Sequence, residues 1–302
     1  MRTIPLWLLL WPVLAGAQAP PQSEIVFGMT PVVGPEHTRQ RFSRVAEYLS
    51  EQLGMPVRLV VTSSYGELID KTIAGEVDLA KLSPLAYVRA RRKNPDIRLI
   101  ASHVAAGSVN YSSYLIALAS GPFASLDRIR GARLCFVDPD STSGFLFPAD
   151  YLQRRSFDLG KDFQSISFGG DHRACLEGLF AGRYDLVATW AGAIRDARSG
   201  GMDAGELVIV AKTGRIPYDA YCLRPGFNEG LGRRLKAILL DLNTLTRTGR
   251  HVLAPTLGIN GWVEGDDRIY DGIRNVEQNV RSDRFPDIRP ATLPDPTQDG
   301  PR

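Results

Sequence analysis

The feature that most constrains how this chain can fold is a regular alternation of short apolar segments with longer amphipathic ones. The apolar segments fit strands, whereas the amphipathic segments repeat their apolar residues with a helical period. Gly54 and Gly75 close two of the predicted helices, at the position that needs a left-handed backbone. Short connections between alternating strands and helices indicate a largely parallel sheet covered by helices on both faces. In the first half, the predicted strands are 24–29, 57–62 and 77–80, and the predicted helices are 38–53, 65–74 and one that starts at Ser83-Pro84.

A second series of strands and helices follows the first, and its last segments return toward the start. Two such series predict an α/β fold with two lobes joined by two crossings, one near Leu118–Gly121 and one at Thr213–Tyr221. We therefore assign residues 24–117 and 222–281 to lobe 1, and residues 118–221 to lobe 2. A single doubly wound domain is the alternative. In this half, the predicted strands are 115–118, 132–137, 163–168, 184–189, 207–211 and 221–223, and the predicted helices are 145–154, 173–181, 230–249 and 268–280.

Both ends of the chain differ in composition from its middle. Residues 1–19 are typical of a cleaved secretory signal peptide, with Arg2 ahead of an apolar stretch and Ala15-Gly16-Ala17 as a small-residue cleavage site. We therefore expect a periplasmic protein, with an uncleaved membrane anchor as the alternative. Residues 282–302 are rich in Pro and Asp and have almost no apolar periodicity, which predicts a flexible tail.

The charge balance and the scattered histidines argue against several classes of partner. The chain has 36 Lys and Arg against 33 Asp and Glu, a net charge of +3. This is too even for the dense basic patch that binds a nucleic acid. The four histidines are far apart in sequence, and no two cysteines form a C-x-x-C pair. We therefore predict no nucleic-acid partner, no metal site and no cofactor.

The three cysteines are Cys135, Cys175 and Cys222. Their odd number leaves at least one thiol unpaired, even in an oxidising compartment. All three lie in apolar or mixed segments, which favours small buried hydrophobic side chains. A disulfide between Cys175 and Cys222 is the main alternative.

The most informative stretch is residues 138–144, with the sequence DPDSTSG. It follows a strand of the buried type and leads into a predicted helix, so Ser141, Thr142 and Ser143 lie at a helix N-terminus. The first N–H groups of a helix lack intrahelical partners and carry partial positive charge. Together with three hydroxyl donors, they suit a tetrahedral oxyanion. A single hydroxyl here would be an ordinary N-cap; three in a row followed by Gly144, which admits a close backbone approach, favour a binding site.

Ser83-Pro84 occupies the corresponding place in the first lobe, at the end of a short strand and the start of a helix. Taken alone, this pair is an ordinary helix start with Ser as N-cap and Pro at the first helical position. Two helix N-termini that face each other across a cleft would hold an anion from both sides.

Several of these segments, taken together, resemble the phosphonate-binding proteins of ABC importers. The similar segments are residues 137–144 (VDPDSTSG), 170–172 (GDH), 182–185 (GRYD) and 216–219 (IPYD), and the similarity covers roughly residues 24 to 280. The resemblance implies a type II periplasmic binding protein fold. It also implies a non-enzymatic protein that captures phosphonate, phosphite or phosphate between its lobes and delivers this small oxyanion to an inner-membrane ABC permease.

The resemblance also implies which side chains surround the anion. Asp219 would accept a hydrogen bond from a P–OH group or a ligand ammonium. Members that bind aminoalkylphosphonates carry a glutamate where this chain has residues 190–193 (WAGA), which favours a smaller or less cationic ligand. Lys81 adds a positive charge if it points inward, but a solvated strand residue is the simpler interpretation. The ligand-binding residues carried over by position are Tyr65, Ser83, Tyr111, Ser141, Thr142, Ser143, His172 and Asp219.

Two other functions fit parts of the sequence. A serine hydrolase would combine Ser141 or Ser143 with His172 and Asp219, but the G-x-S-x-G elbow is absent. A periplasmic sensor subunit would present a bound oxyanion or arsenic species to a receptor kinase, with cysteines as thiol ligands. In the sequence, Cys175 lies one helical turn from His172.

Overall fold

The computed structural model describes residues 23–256 and 258–280. The predicted signal peptide and the predicted tail lie outside the described residues. The strands are β1 Ile25–Met29, β2 Val57–Val61, β3 Leu79–Leu82, β4 Arg98–Ala105, β5 Asn110–Leu118, β6 Arg133–Phe136, β7 Ser165–Phe168, β8 Leu186–Trp190, β9 Leu207–Pro217, β10 Ala220–Leu223 and β11 Ile259–Glu264. The helices are α1 Pro35–Leu53, α2 Tyr65–Ala74, α3 Pro84–Lys93, α4 Phe147–Arg154, α5 His172–Phe180, α6 Ala191–Ser199, α7 Glu229–Asp241, α8 Arg247–Leu253 and α9 Asp271–Asn279. None of the helices in these ranges has the length and hydropathy needed to cross a membrane.

The strands form two mixed sheets, which confirms the prediction of two α/β lobes. The six-stranded sheet has the order β11-β4-β10-β3-β1-β2 and, with its helices, is lobe 1. The five-stranded sheet has the order β7-β6-β8-β5-β9 and, with its helices, is lobe 2. Strands within each βα series are parallel, as in β1 with β2 and β3, and β6 with β7 and β8. The sheets are less parallel than predicted because three strands run antiparallel to their neighbours. These are β5 and β10, which follow the crossings between lobes, and the edge strand β11.

The chain changes sheets twice, at residues 106–109 and at residues 218–219. The second crossing falls inside the predicted segment Thr213–Tyr221. The first comes earlier than the predicted Leu118–Gly121, since the whole of β5 pairs with β8 and β9 in lobe 2. Residues 110–117, expected in lobe 1, therefore belong to the second sheet.

Helices cover both faces of the lobe 1 sheet. On one face, α1, α7 and α8 share a core with Phe27 and Tyr221. On the other face, α2, α3 and α9 pack in a core that continues into lobe 2, where it includes Phe136 and Phe147. A third core lies where α5 and α6 cover the lobe 2 sheet. The layering brings the carboxyl ends of β1, β3 and β6 to the boundary between the lobes.

The structure corrects two further predictions outside the site. The helix predicted over 230–249 is two helices, because Asn243 and Thr246 form a turn between α7 and α8 in which Thr246 Oγ1 accepts from the Gly249 N–H. The alternative disulfide Cys175–Cys222 is wrong, since Cys222 lies buried in the lobe 1 sheet as a free thiol. Cys175 is instead bonded to Cys135, which lies below it in β6 of lobe 2.

Candidate functional site

A small cavity, here called the inner chamber, lies between the lobes at the carboxyl ends of strands, where α/β folds place their ligands. The space open to the centre of a water molecule is ≈ 50 Å³. The structure brings all eight sequence-predicted residues to its wall: Tyr65, Ser83, Tyr111, Ser141, Thr142, Ser143, His172 and Asp219. Eight other residues line it as well: Thr30, Val32, Phe42, Lys81, His103, Trp190, Tyr218 and Ile259.

The hydroxyl run forms the lobe 2 side of the inner chamber. Ser141 caps a π-helical turn, Thr142–Leu146, and its Oγ accepts from the Gly144 N–H at 3.0 Å. A helix start was predicted here, and the structure confirms one. Gly144 is needed for a different reason than expected: a Cβ on it would lie 2.4 Å from Val137, a clash with the protein and not with a ligand. The N–H groups of Thr142 and Ser143 are in the first turn, where no intrahelical acceptor exists.

The two predicted helix starts meet directly. Ser83 caps α3, and its hydroxyl donates to the Asp140 carbonyl across the lobe boundary at 2.8 Å. The Leu85 N–H at the start of α3 donates to Thr142 Oγ1, also at 2.8 Å. The proton of Ser83 is thus already used, whereas the Thr142 hydroxyl accepts from Leu85 and keeps its own proton for another acceptor.

Further contacts join the lobes around the inner chamber. The Tyr65 N–H donates to Asp138 at 3.3 Å, and burial raises the pKa of that carboxyl to about 6. On another side, Arg41 of α1 forms an ion pair with the buried Asp196 of α6. The His172 N–H donates to the Val32 carbonyl at 3.2 Å. These bonds hold the lobes together in the arrangement that encloses the chamber.

Lys81 and Asp219 form an ion pair in the chamber wall. The Lys81 side chain is only 6% exposed and that of Asp219 18% exposed. Lys81 also lies 5.6 Å from the ring centroid of Phe42. The interpretation of Lys81 as a solvated strand residue is therefore wrong. Its strand, β3, lies inside a sheet that helices cover on both faces, and all four residues of β3 are buried.

His172 begins α5, with Asp171 as N-cap, and is buried at the chamber wall. Burial lowers its pKa to about 3, so the ring is neutral at ordinary pH. Nδ1 lies 3.0 Å from the Thr189 hydroxyl. When Thr189 donates to Nδ1, the neutral ring carries its proton on Nε2, and His172 becomes a donor.

An aromatic wall, formed by Tyr111, Trp190 and Tyr218, closes one side of the chamber. Tyr111 stacks on Tyr218 with ring centroids 4.9 Å apart and meets Trp190 edge-on at 5.6 Å. Burial raises the pKa of the Tyr111 hydroxyl well above its usual value, and that hydroxyl is hydrogen-bonded with Ser143. Trp190 is the first residue of the segment 190–193, and its ring contributes no charge to the wall.

His103 is a chamber residue that the sequence argument missed. It lies on β4, is 5% exposed, and packs against Tyr218 at 4.6 Å. Burial lowers its pKa to about 3. Within the described residues its Nδ1 is buried and has no hydrogen-bond partner, so it is a polar atom that a ligand could satisfy.

The described residues assemble neither a catalytic triad nor a metal site. His172 pairs with the Thr189 hydroxyl where a triad needs a carboxylate, and Asp219 pairs with Lys81. No group of three His, Cys, Asp or Glu side chains in the described ranges is placed to hold a metal ion.

Comparison with known proteins shows that this chain is similar to one protein family. A model for the periplasmic substrate-binding protein of phosphonate ABC transporters matches residues 27–270. The phosphate-import protein PhnD of Mycolicibacterium smegmatis is 30% identical over 168 residues, which cover 54% of this chain and half the length of that relative.

Two solved structures share the fold. PhnD1 from Prochlorococcus marinus, in complex with methylphosphonate, superposes with a TM-score of 0.76 at 18% identity, over 85% of this chain and 98% of that one. A binding protein component of an ABC phosphonate transporter from Pseudomonas aeruginosa gives a TM-score of 0.78 at 22% identity, over 85% and 86%. These likenesses confirm the two-lobed type II fold.

Proposed function

Because the chain belongs to the family of periplasmic substrate-binding proteins of phosphonate ABC transporters, we propose that it captures a small tetrahedral oxyanion in the inner chamber. The ligand is a phosphonate, phosphite or phosphate, and the protein delivers it from the periplasm to an inner-membrane importer without chemical change. The observation that carries the proposal is the convergence of the hydroxyl run, His172 and the Lys81–Asp219 pair on one small enclosed space.

The volume supports a compact ligand. A cavity of ≈ 50 Å³ by this measure holds roughly three to five water molecules, at about 10–15 Å³ each. Phosphite, phosphate and methylphosphonate have a similar number of non-hydrogen atoms. The uncharged Trp190 also agrees with a ligand that lacks an amine.

The chamber charges support a ligand that keeps one proton. Lys81 supplies a positive charge, but Asp219 beside it repels a dianion unless the ligand offers a P–OH group to the carboxylate. Monoprotonated phosphonate, phosphite and phosphate can do so. Sulfate has no proton at neutral pH and would leave two negative groups in contact.

The sensor alternative, in its version that binds an arsenic species through thiols, lacks support from the chamber. Thiol ligation of an arsenic species needs cysteines at the wall, and in the described residues Cys135 is bonded to Cys175 while Cys222 does not line the chamber. Delivery to an importer agrees with the family and needs no thiol.

Calorimetry with methylphosphonate, phosphite, phosphate, 2-aminoethylphosphonate and sulfate tests the proposal. We expect the first three to bind more tightly than the last two. Thr142→Ala with Ser143→Ala should weaken methylphosphonate binding at least about a hundredfold, because each charge-assisted bond contributes ~1.5–3 kcal/mol. The exposed pair Ser120→Ala with Ser125→Ala is the matched control and should bind like wild type. Unchanged affinity in the chamber variant would refute the site.

A further inference from the structure

A second and larger cavity lies behind the aromatic wall and is here called the outer cavity. Its volume, measured in the same way, is ≈ 420 Å³. Tyr111, Trp190 and Tyr218 line both cavities, so one layer of rings separates them. The outer cavity is bounded by β5, β9, the start of α6 and both crossings between the lobes. Nothing in the proposed function uses it.

A β-bulge concentrates positive charge in the outer cavity. Lys212 and Arg215 are three residues apart on β9, a spacing that places side chains on opposite faces of a regular strand. The register with β5 shifts here, since Ser112 pairs with Arg215 but Tyr114 pairs with Lys212. The extra residue on β9 brings both cations to the face that lines the cavity. Bulges re-aim side chains in this way.

These two cations have no partner in the described part of the chain. Lys212 makes no ion pair or hydrogen bond there, and neither does Arg215, although most other basic side chains of the structure are paired. Arg195 of α6 lines the same cavity and adds a third positive charge. No Asp or Glu is among the lining residues. A concave site with only one sign of charge focuses the field and attracts counter-ions.

We propose that the outer cavity is a second anion site, distinct from the inner chamber, that takes a compact polyvalent anion of the di- or triphosphate type. Three cations in a volume of this size are more than one tetrahedral ion can contact, whereas an anion with two linked phosphoryl groups reaches several of them. Hydroxyls of Ser112 and Tyr114 supply neutral donors beside the cations. The cations are exposed, so binding weakens as salt screens them.

The location links the outer cavity to motion between the lobes. Ser108 lies in the first crossing and Tyr218 in the second, beside Asp219 of the inner chamber. An anion that contacts both crossings favours one relative position of the lobes. By linkage, this anion changes the affinity of the inner chamber for its ligand. The inner ligand in turn changes the affinity of the outer cavity for the anion by the same factor.

Calorimetric titration with pyrophosphate at low ionic strength tests this proposal. Wild-type protein saturated with methylphosphonate should bind one pyrophosphate. Lys212→Ala with Arg215→Ala should weaken that binding about tenfold, as expected for the loss of two exposed ion pairs. The matched control, Arg128→Ala with Arg247→Ala, removes the same charge from exposed positions elsewhere and should stay within about twofold of wild type.

A second variant separates this proposal from the proposed function. Thr142→Ala with Ser143→Ala should lose methylphosphonate but keep pyrophosphate binding, since neither residue lines the outer cavity. The proposal is overturned if wild type does not bind pyrophosphate, if the outer-cavity variant binds it as well as wild type, or if the control weakens equally. It is also overturned if methylphosphonate displaces pyrophosphate completely and the inner-chamber variant loses both.

Discussion

Asp219→Asn tests most directly whether the Lys81–Asp219 ion pair stabilises the inner chamber. The substitution keeps the size of the side chain but removes the negative charge beside Lys81, whose side chain is 6% exposed. Removing one partner of a buried pair costs about 3–5 kcal/mol, because the other charge is left uncompensated. Asp219 is partly exposed, at 18%, so we expect a loss near the lower end, about 3 kcal/mol.

Urea unfolding of the ligand-free protein measures this loss. Lys81→Met combined with Asp219→Asn should recover most of the stability, because no buried charge remains. The exposed pair Lys236–Glu264 serves as control. Lys236→Met with Glu264→Gln should change the free energy of unfolding by less than about 1 kcal/mol.

Anions should act differently on the variant and on wild type. In Asp219→Asn, a bound sulfate replaces the missing negative charge and meets an amide donor, so sulfate should raise the stability of this variant but not of wild type. The double variant should gain nothing from sulfate. The reasoning is refuted if Asp219→Asn is as stable as wild type without ligand, or if it discriminates against sulfate as strongly as wild type does.

Two further predictions concern stability. Burial holds the pKa of His172 at about 3, below the ~6.5 of an unfolded chain, so the unfolded state takes up a proton first and this histidine lowers stability as the pH falls below 6.5. Between pH 7.5 and pH 5, His172→Gln should therefore lose about 2 kcal/mol less than wild type in urea unfolding, and equal losses would contradict the assignment. Cys135→Ser with Cys175→Ser opens a loop of 40 residues and should cost about 4 kcal/mol. Thermal unfolding with and without reductant checks this, since reductant should destabilise wild type but not the variant.

Local signals predicted the helix starts and ends well. Ser83 and Pro84 begin α3 as expected, with the Ser83 hydroxyl accepting from the Ala86 N–H. Gly54 and Gly75 end α1 and α2 with φ angles of 67° and 82°. Helix starts and ends of this kind depend on hydrogen bonds between residues within four or five positions of each other, so they can be predicted from the local sequence alone.

The ends of strands and the burial of residues within them were harder to predict from the sequence. The predicted strand 77–80 stops before Lys81, because a lysine suggests that a strand has reached solvent. Whether a strand has a solvent face depends on what packs on its sheet, and both faces of the β3 sheet are covered by helices from distant segments of the chain. A charge in a central strand is costly without a partner, and the partner, Asp219, is 138 residues away.

The same reasoning explains which chamber residues were found and which were missed. The hydroxyl run and Ser83 lie at helix starts, where sequence alone indicates exposed N–H groups. His103 lies within β4, whose sequence mixes charged, polar and apolar residues and gave no strand prediction. Tyr218 sits in a crossing and reaches the chamber only because the two lobes are joined there. Lys81, His103 and Tyr218 reach the chamber only through such long-range placement, so signals at helix termini alone cannot indicate the full set of chamber residues.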